Sequence, residues 1–229
     1  MKANKRNYQK EMEKIIEGFG GERKSLLLHS CCAPCSSAVL EKLQEIFEVT
    51  VFYYNPNISE DMEYQKRVEE QKRLIEAFNQ KNPRYPIKIM DGDYEPQEFY
   101  KIAKGLETCP EGGERCFKCY ALRLDKTARM AKEGNYDYFT TTLTISPLKN
   151  ACKLNEIGEE MAVKYQTAFL PSDFKKKEGY KRSIELSKEY ELYRQNFCGC
   201  AFSKAESLKK EQKVTVQQKP ELLQKENQS

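Results

Sequence analysis

The chain has 229 residues, 39% hydrophobic and 32% charged, with nine cysteines, one histidine and a formal net charge of +4. This length suits a single domain whose core needs no covalent staples, and the apolar runs fall far short of the ~20 residues of a membrane span, so no transmembrane helix is expected. Met1 to Lys24 mixes Lys, Glu and Arg and lacks the apolar centre of a secretory signal, so the expected location is cytoplasmic, where cysteines point to metal binding or thiol redox chemistry rather than to structural disulfides.

In chain order, residues 1–20 are expected to form a peripheral helix outside the sheet. A first strand, Ser25 to His29, leads into a helix carrying Leu40, Leu43 and Phe47 at helical spacing. Between them stands His29-Ser30-Cys31-Cys32-Ala33-Pro34-Cys35, where the strand ends and the helix begins. Ligands of open α/β sheets bind at that place, and a helix N-terminus favours thiolates. Three cysteines within five residues exceed what a buried apolar cluster asks for. His29 could tune a sulfur by hydrogen bonding or donate a proton, and a structural hydrogen bond is the plain alternative.

The second strand is expected over Glu48 to Tyr54, followed by a helix presenting Tyr64, Val68, Ile75 and Phe78. The third covers Pro86 to Met90. Asn55 and Asn57 after the second strand, and Asp91 after the third, are candidate substrate contacts, although such residues are also ordinary turn formers. A helix from about Phe117 to Lys132 is expected to stop at Gly134 in the left-handed position. Cys116 and Cys119 open it as a C-x-x-C, and residues three apart on a helix share a face. A structural zinc half-site is the usual reading of one such pair. With Cys31 and Cys32 it makes four candidate ligands, the number taken by zinc or by a 4Fe-4S cube. Adjacent cysteines diverge, which favours a cube offering each sulfur its own iron. Arg115 and Arg123 flank the pair and are candidate phosphate contacts, with solvated charge as the alternative.

The fourth strand is expected over Tyr138 to Leu143, with Thr142 among the hydroxyls that would face the site. A helix over Ala151 to Lys164 presents Leu154, Ile157 and Met161, and Cys152 on it reads as a core residue. The fifth strand covers Thr167 to Leu170. The stretch from Asp173 to Arg182 interleaves Phe174 and Tyr180 with Lys175, Lys176, Lys177, Lys181 and Arg182, a composition that suits RNA through phosphate attraction and base stacking, or is simply a solvated face. A last helix is expected from Gly179 to Arg194. Beyond it, Cys198-Gly199-Cys200 can close a small strained disulfide of the easily reduced kind, with additional metal ligation as the alternative. From residue 204 onward the composition is that of a charged tail, either a frayed helix or flexible chain, leaving 1–203 as one domain. Alternating strands and helices predict an α/β fold, a Rossmann-like parallel sheet flanked by helices, with the metal-binding helical segments at the C-terminal edge of the strands.

Four segments in this order, Leu28 to Cys35, Arg115 to Leu124, Phe139 to Leu143 and Tyr193 to Cys200, resemble the QueH-type epoxyqueuosine reductases, and the resemblance runs from about Asn7 to Ser203. It implies a 4Fe-4S cluster on Cys31, Cys32, Cys116 and Cys119, a redox-active pair in Cys198 and Cys200, and no cobalamin. In at least some members a second, mononuclear iron lies nearby, for which Cys35 is the candidate ligand. The implied reaction is a two-electron deoxygenation of the epoxide of epoxyqueuosine at the wobble base of tRNA, the last step to queuosine. Iron would act on the epoxide oxygen as a Lewis acid while an unidentified electron donor feeds the cluster. Two other readings share some of these features. An ATP-dependent tRNA sulfur-transfer enzyme would need a Gly-rich phosphate loop where Cys31 to Cys35 stands, and a zinc-stapled RNA-binding module would have no use for C-G-C.

Overall fold

The computed structural model describes residues 6–212. Five parallel strands form one sheet in the order β3-β2-β1-β4-β5: β1 Lys24–His29, β2 Phe47–Tyr53, β3 Lys88–Asp91, β4 Tyr138–Thr141 and β5 Ala168–Phe169. The helices are α1 Tyr8–Glu17, α2 Ala33–Leu43, α3 Asp61–Lys81, α4 Pro96–Ala103, α5 Glu114–Glu133, α6 Ala151–Tyr165 and α7 Gly179–Glu189. A further helix, α8, covers 201–212. The expected Rossmann-like α/β architecture is what the chain adopts.

The central position of β1 follows from its sequence. Leu26, Leu27 and Leu28 are all fully buried, as expected of a parallel strand covered on both faces. Successive side chains point to opposite sides. Leu26 and Leu28 join a core cluster with Val49 and Val51 of β2, Leu40 and Leu43 of α2, Phe78 of α3 and Leu186 of α7. Leu27 joins the opposite cluster with Phe139 of β4, Leu124 and Ala128 of α5, and Leu154 and Ile157 of α6. The chain leaves β1 toward β2 on one side and later returns as β4 on the other. The carboxyl end of β1 is therefore the switch point of the sheet, where the loops on its two flanks part and open a crevice.

Several expected boundaries are corrected. The fourth strand ends at Thr141, because its hydroxyl accepts from Leu143 N at 3.1 Å and caps a 3-10 turn over Thr142–Ile145. The third strand is shifted toward Asp91, the fifth is only two residues long, and the last helix ends at Glu189, five residues before Arg194. Gly134 has φ −85°; the left-handed residue is Asn135, at φ 53°. Helix α4 was not anticipated. Cys152 is exposed rather than core: the buried face of α6 is Ala151, Leu154, Asn155, Ile157 and Gly158, and Cys152 lies off that stripe, against Tyr8 Oη at 3.4 Å and Glu156 Oε1 at 3.3 Å. The N-terminal helix begins at Tyr8, and residues 1–5 of the expected element lie outside the described residues. Of the tail expected from residue 204, 204–212 is helical and 213–229 lies outside the described residues. No helix among the described residues is long and apolar enough to cross a membrane.

Candidate active site

The β1–α2 turn builds the first part of the site. Cys32 occupies the N-cap of α2 with Pro34 in the first turn, where proline costs no hydrogen bond. The tight turn brings the sulfurs of Cys31, Cys32 and Cys35 within 4.8 Å of one another, with Cys31 Sγ and Cys32 Sγ 3.8 Å apart. This is a group that could hold a metal ion. Thr142 is drawn in by the 3-10 turn: its Oγ1 accepts from Cys31 N at 3.3 Å and donates to Cys31 Sγ at 3.6 Å. The Cys31 thiol is held well below its ordinary value, first by hydrogen bonds from Cys32 and Cys35 and further by the charge of Lys149, against the effect of burial. The same hydrogen bonds push Cys32 up to about 12 and Cys35 upward. Hydrogen bonding among the three thiols thus favours the thiolate form of Cys31, which suits a cation.

The second part is the N-terminus of α5. Cys116 accepts from Gly112 N at 3.2 Å, and Cys119 is buried, its thiol pushed up to about 12 by burial. Cys116 and Cys119 line a cavity together with Cys198, Cys200, Asn57, Arg115 and Arg123. The sequence pairs Cys31 and Cys32 with Cys116 and Cys119; the structure instead draws Cys31 and Cys32 to Cys35, and Cys116 and Cys119 to the C-G-C segment. The two sets share a wall, because Cys198, Lys149 and Glu111 line both the inner cavity and the outer cleft that holds the triad.

The C-G-C segment is held by α3 and the loop before it. Arg67, 2% exposed, pairs with Glu63 at 2.7 Å and donates to the carbonyls of Cys198 at 3.1 Å and Phe197 at 3.4 Å. Asn57 Nδ2 donates to the Cys198 carbonyl at 3.4 Å, and Ser59 N donates to that of Gly199 at 3.1 Å. Gly199 has φ 119°, and a Cβ there would lie 2.9 Å from Ile58, so only glycine fits between the two cysteines.

Other expected site residues fall into three groups. Asn55 and Arg123 are buried inside: Asn55 Nδ2 donates to the Ser30 carbonyl at 2.8 Å, and Arg123, 1% exposed, donates to Asn55 Oδ1 and the Cys119 carbonyl. Arg115 is equally buried and donates to the carbonyls of Leu106 and Glu107. Neither arginine is at the surface where a phosphate could reach it. Arg115 Nε, Arg123 Nη2 and Asn57 Oδ1 are buried without partners, and all three residues line the thiol cavity. Buried unpartnered N–H groups of two cations beside four thiols fit an anionic, sulfur-ligated group, which would offset their desolvation.

His29 makes the structural hydrogen bonds that were the plain alternative for it. It is fully buried, with Nδ1 2.9 Å from Thr141 Oγ1 and Nε2 3.1 Å from the Tyr54 carbonyl, and burial, helped by Arg123, lowers its pKa to about 3. Both ring nitrogens are thus engaged, and no hydrogen bond from the ring to a sulfur is seen among the described residues. The third group lies outside the cleft. Asp91 pairs with Lys72 at 3.0 Å, Lys177 with Glu13 at 2.6 Å, and Arg182 with Glu41 at 2.7 Å. Lys176 is exposed. Of the basic stretch, Tyr180, 37% exposed, lines the cleft itself.

Sequence reasoning passed over Lys149 and Gln195. Lys149 Nζ lies 3.4 Å from Cys198 Sγ; Gln195 lines the cleft, and its Oε1 is buried with no donor. Gln195 stood within the Tyr193 to Cys200 segment, whereas no spacing marks Lys149.

The description "Epoxyqueuosine reductase QueH" belongs to the family whose sequence model matches residues 26–206. Relatives carrying the same name include one from Staphylococcus epidermidis, 44% identical over 89% of this chain and 87% of its own. Another, from Staphylococcus aureus, is 40% identical over 96% of both chains, and one from Thermotoga maritima is 34% identical over 83% of this chain and 96% of its own. The sulfur-lined crevice at the switch point thus belongs to a chain similar, over nearly its whole length, to named reductases. The expected resemblance is borne out: the protein is a member of the QueH family of epoxyqueuosine reductases.

Proposed function

We propose that this protein removes the epoxide oxygen of epoxyqueuosine in tRNA, giving the cyclopentene of queuosine. The observation that carries the reading is the solvent-open cleft at the carboxyl edge of the sheet: the Cys31, Cys32 and Cys35 thiols line it, and it shares Cys198 with a cavity lined by Cys116, Cys119 and Cys200. The cofactor reading is a 4Fe-4S cluster on Cys31, Cys32, Cys116 and Cys119, with Cys35 as a ligand for an additional iron. The shared wall between the two cysteine sets and the unpartnered N–H groups of Arg115 and Arg123 support it. When bound, such a group supplies single electrons at low potential.

The remaining chemistry belongs to the chain. Converting an epoxide to an alkene and water consumes two electrons and two protons, and closing a disulfide between two thiols releases the same number, so Cys198 and Cys200 match the stoichiometry as a redox pair. Cys198 lines the cleft, within reach of an external electron donor. Tyr180 and Leu148, 37% and 74% exposed, form an apolar part of the cleft lining suited to stacking an unpaired base. The buried Oε1 of Gln195 offers an acceptor to a ligand N–H or hydroxyl. Gln195→Ala is expected to raise KM about 5- to 10-fold with kcat little changed, roughly the ~1 kcal/mol of one hydrogen bond. An equal fall of kcat and kcat/KM would place Gln195 in the chemical step instead.

The direct test is anaerobic reconstitution with iron and sulfide, reduction in the presence of epoxyqueuosine tRNA, and mass spectrometry of the released nucleosides. Loss of one oxygen from the modified base is expected. Unchanged substrate with a protein that is loaded and reduced would overturn the reading. A zinc-stapled RNA-binding module would instead give a colourless protein with stoichiometric zinc.

A further inference from the structure

Lys149 lies between the 3-10 turn Thr142–Ile145 and α6, is half-buried, and lines both the cleft and the inner cavity. Of the three residues common to the two, Cys198, Glu111 and Lys149, it is the one cation. In the outer cleft Arg67 is engaged by Glu63 and two carbonyls and Arg194 by Ser183 and Ser187, while Arg115 and Arg123 line only the inner cavity, where each keeps one unpartnered buried N–H. Lys149 makes one polar side-chain contact among the described residues, with the Cys198 sulfur at 3.4 Å, and no carboxylate pairs with it. An ammonium has three N–H groups, so donors remain for whatever enters the cleft.

We propose that Lys149 is the proton donor to the epoxide oxygen. The proposal rests on the reductase reading above and names the acid which that reaction requires. In the balanced step both C–O bonds of the epoxide break and the two carbons become a double bond. Two electrons enter from a low-potential one-electron carrier acting through the enzyme, and the oxygen leaves as water after taking two protons. Lys149 Nζ gives the first proton as the first C–O bond opens, and is reloaded from solvent through the open cleft; the second proton comes from water. A lysine suits this place for two reasons. Its positive charge offsets the alkoxide charge that builds on oxygen as the bond stretches, and it gives up a proton where an arginine does not. An ammonium is charged at neutral pH. The donor therefore stays loaded, and an alkoxide is basic enough to take the proton.

The test uses the reconstituted full chain with Lys149→Ala, Lys149→Met and Lys149→Arg, each first assayed for bound iron, visible absorption and affinity for epoxyqueuosine tRNA. The expected result is unchanged absorption and tRNA affinity, with single-turnover deoxygenation slowed about 10²- to 10⁴-fold in all three, the range a positioned acid contributes. Added methylamine, ethanolamine and 2,2-difluoroethylamine should restore Lys149→Ala, with rescue rising as the ammonium becomes more acidic. Full activity in Lys149→Arg, or rescue indifferent to amine acidity, would reduce Lys149 to a fixed charge and overturn the proposal. Loss of the visible absorption in all three variants would make it a support of the cavity and overturn it equally. Normal turnover in Lys149→Ala together with a matching loss in Glu111→Gln would move the acid to Glu111. Failure of the wild-type protein to deoxygenate substrate tells against the reductase reading, and is distinct from each of these outcomes.

Discussion

On the proposed ligand set, Cys119→Ser is expected to yield a folded protein that no longer holds iron. Cys119 is 5% exposed, opens no surface, and faces the thiol cavity beside Arg123. Serine keeps the volume of the site but offers a hydroxyl that stays protonated where a thiolate is required, and metal affinity follows ligand deprotonation. If Cys119 is a direct ligand, as proposed, its loss should exceed the 10- to 100-fold that even outer contacts cost. Bound iron, visible absorption and turnover should therefore fall together to background. Cys116→Ser should behave in the same way. Cys152→Ser supplies the contrast: its thiol is exposed on α6, away from both cavities, and its iron content should match that of the parent protein. Iron analysis and absorption spectra of the set decide the matter. A fully loaded Cys119→Ser would remove that residue from the ligand set.

Arg67→Met carries the largest expected effect on stability. The guanidinium is 2% exposed and binds Glu63, whose side chain is itself only 13% exposed, as well as the carbonyls of Phe197 and Cys198. Removing one member of a buried pair leaves the other charge uncompensated, at about 3–5 kcal/mol. For a chain of this size that lowers Tm by about 6–20 °C. The loss should fall heavily on one region, because the freed carbonyls belong to the segment that carries Cys198 and Cys200. Urea unfolding of the apo-protein measures the first effect, and faster alkylation of Cys198 in the folded protein measures the second. The double variant Glu63→Gln with Arg67→Met should cost less than the sum of the singles. Strict additivity would show that the pair does not act as a unit.

The comparison between residues and structure divides along the range of the interactions involved. Continuous burial of Leu26 to Leu28, helical spacing in α3 and α5, and turn chemistry after each strand are local, and the α/β fold follows from them. The clustering of cysteines at the end of β1 and the start of α5 was equally plain, because both the strand-to-helix junction and the C-x-x-C spacing are short-range features. The errors came where a neighbour far along the chain decided. The early stop of β4 is the local exception, where Thr141 caps the turn two residues on. Cys152 sits on a helix whose inward stripe is set by what α5 and β5 present.

For the site, the residues alone determined the chemistry: thiols in excess of any packing need, at the switch point of a parallel sheet, in a chain resembling epoxyqueuosine reductases. Tertiary structure decided the company each thiol keeps. It joined Cys35 to Cys31 and Cys32, set Cys198 and Cys200 against Cys116 and Cys119, buried Arg115, Arg123 and His29, and brought Lys149 to Cys198. The reason is that ligand chemistry is a property of side-chain type, readable one residue at a time. Distance across a fold is instead settled by how β1, β4, α3 and α5 converge, and no spacing along the chain encodes it.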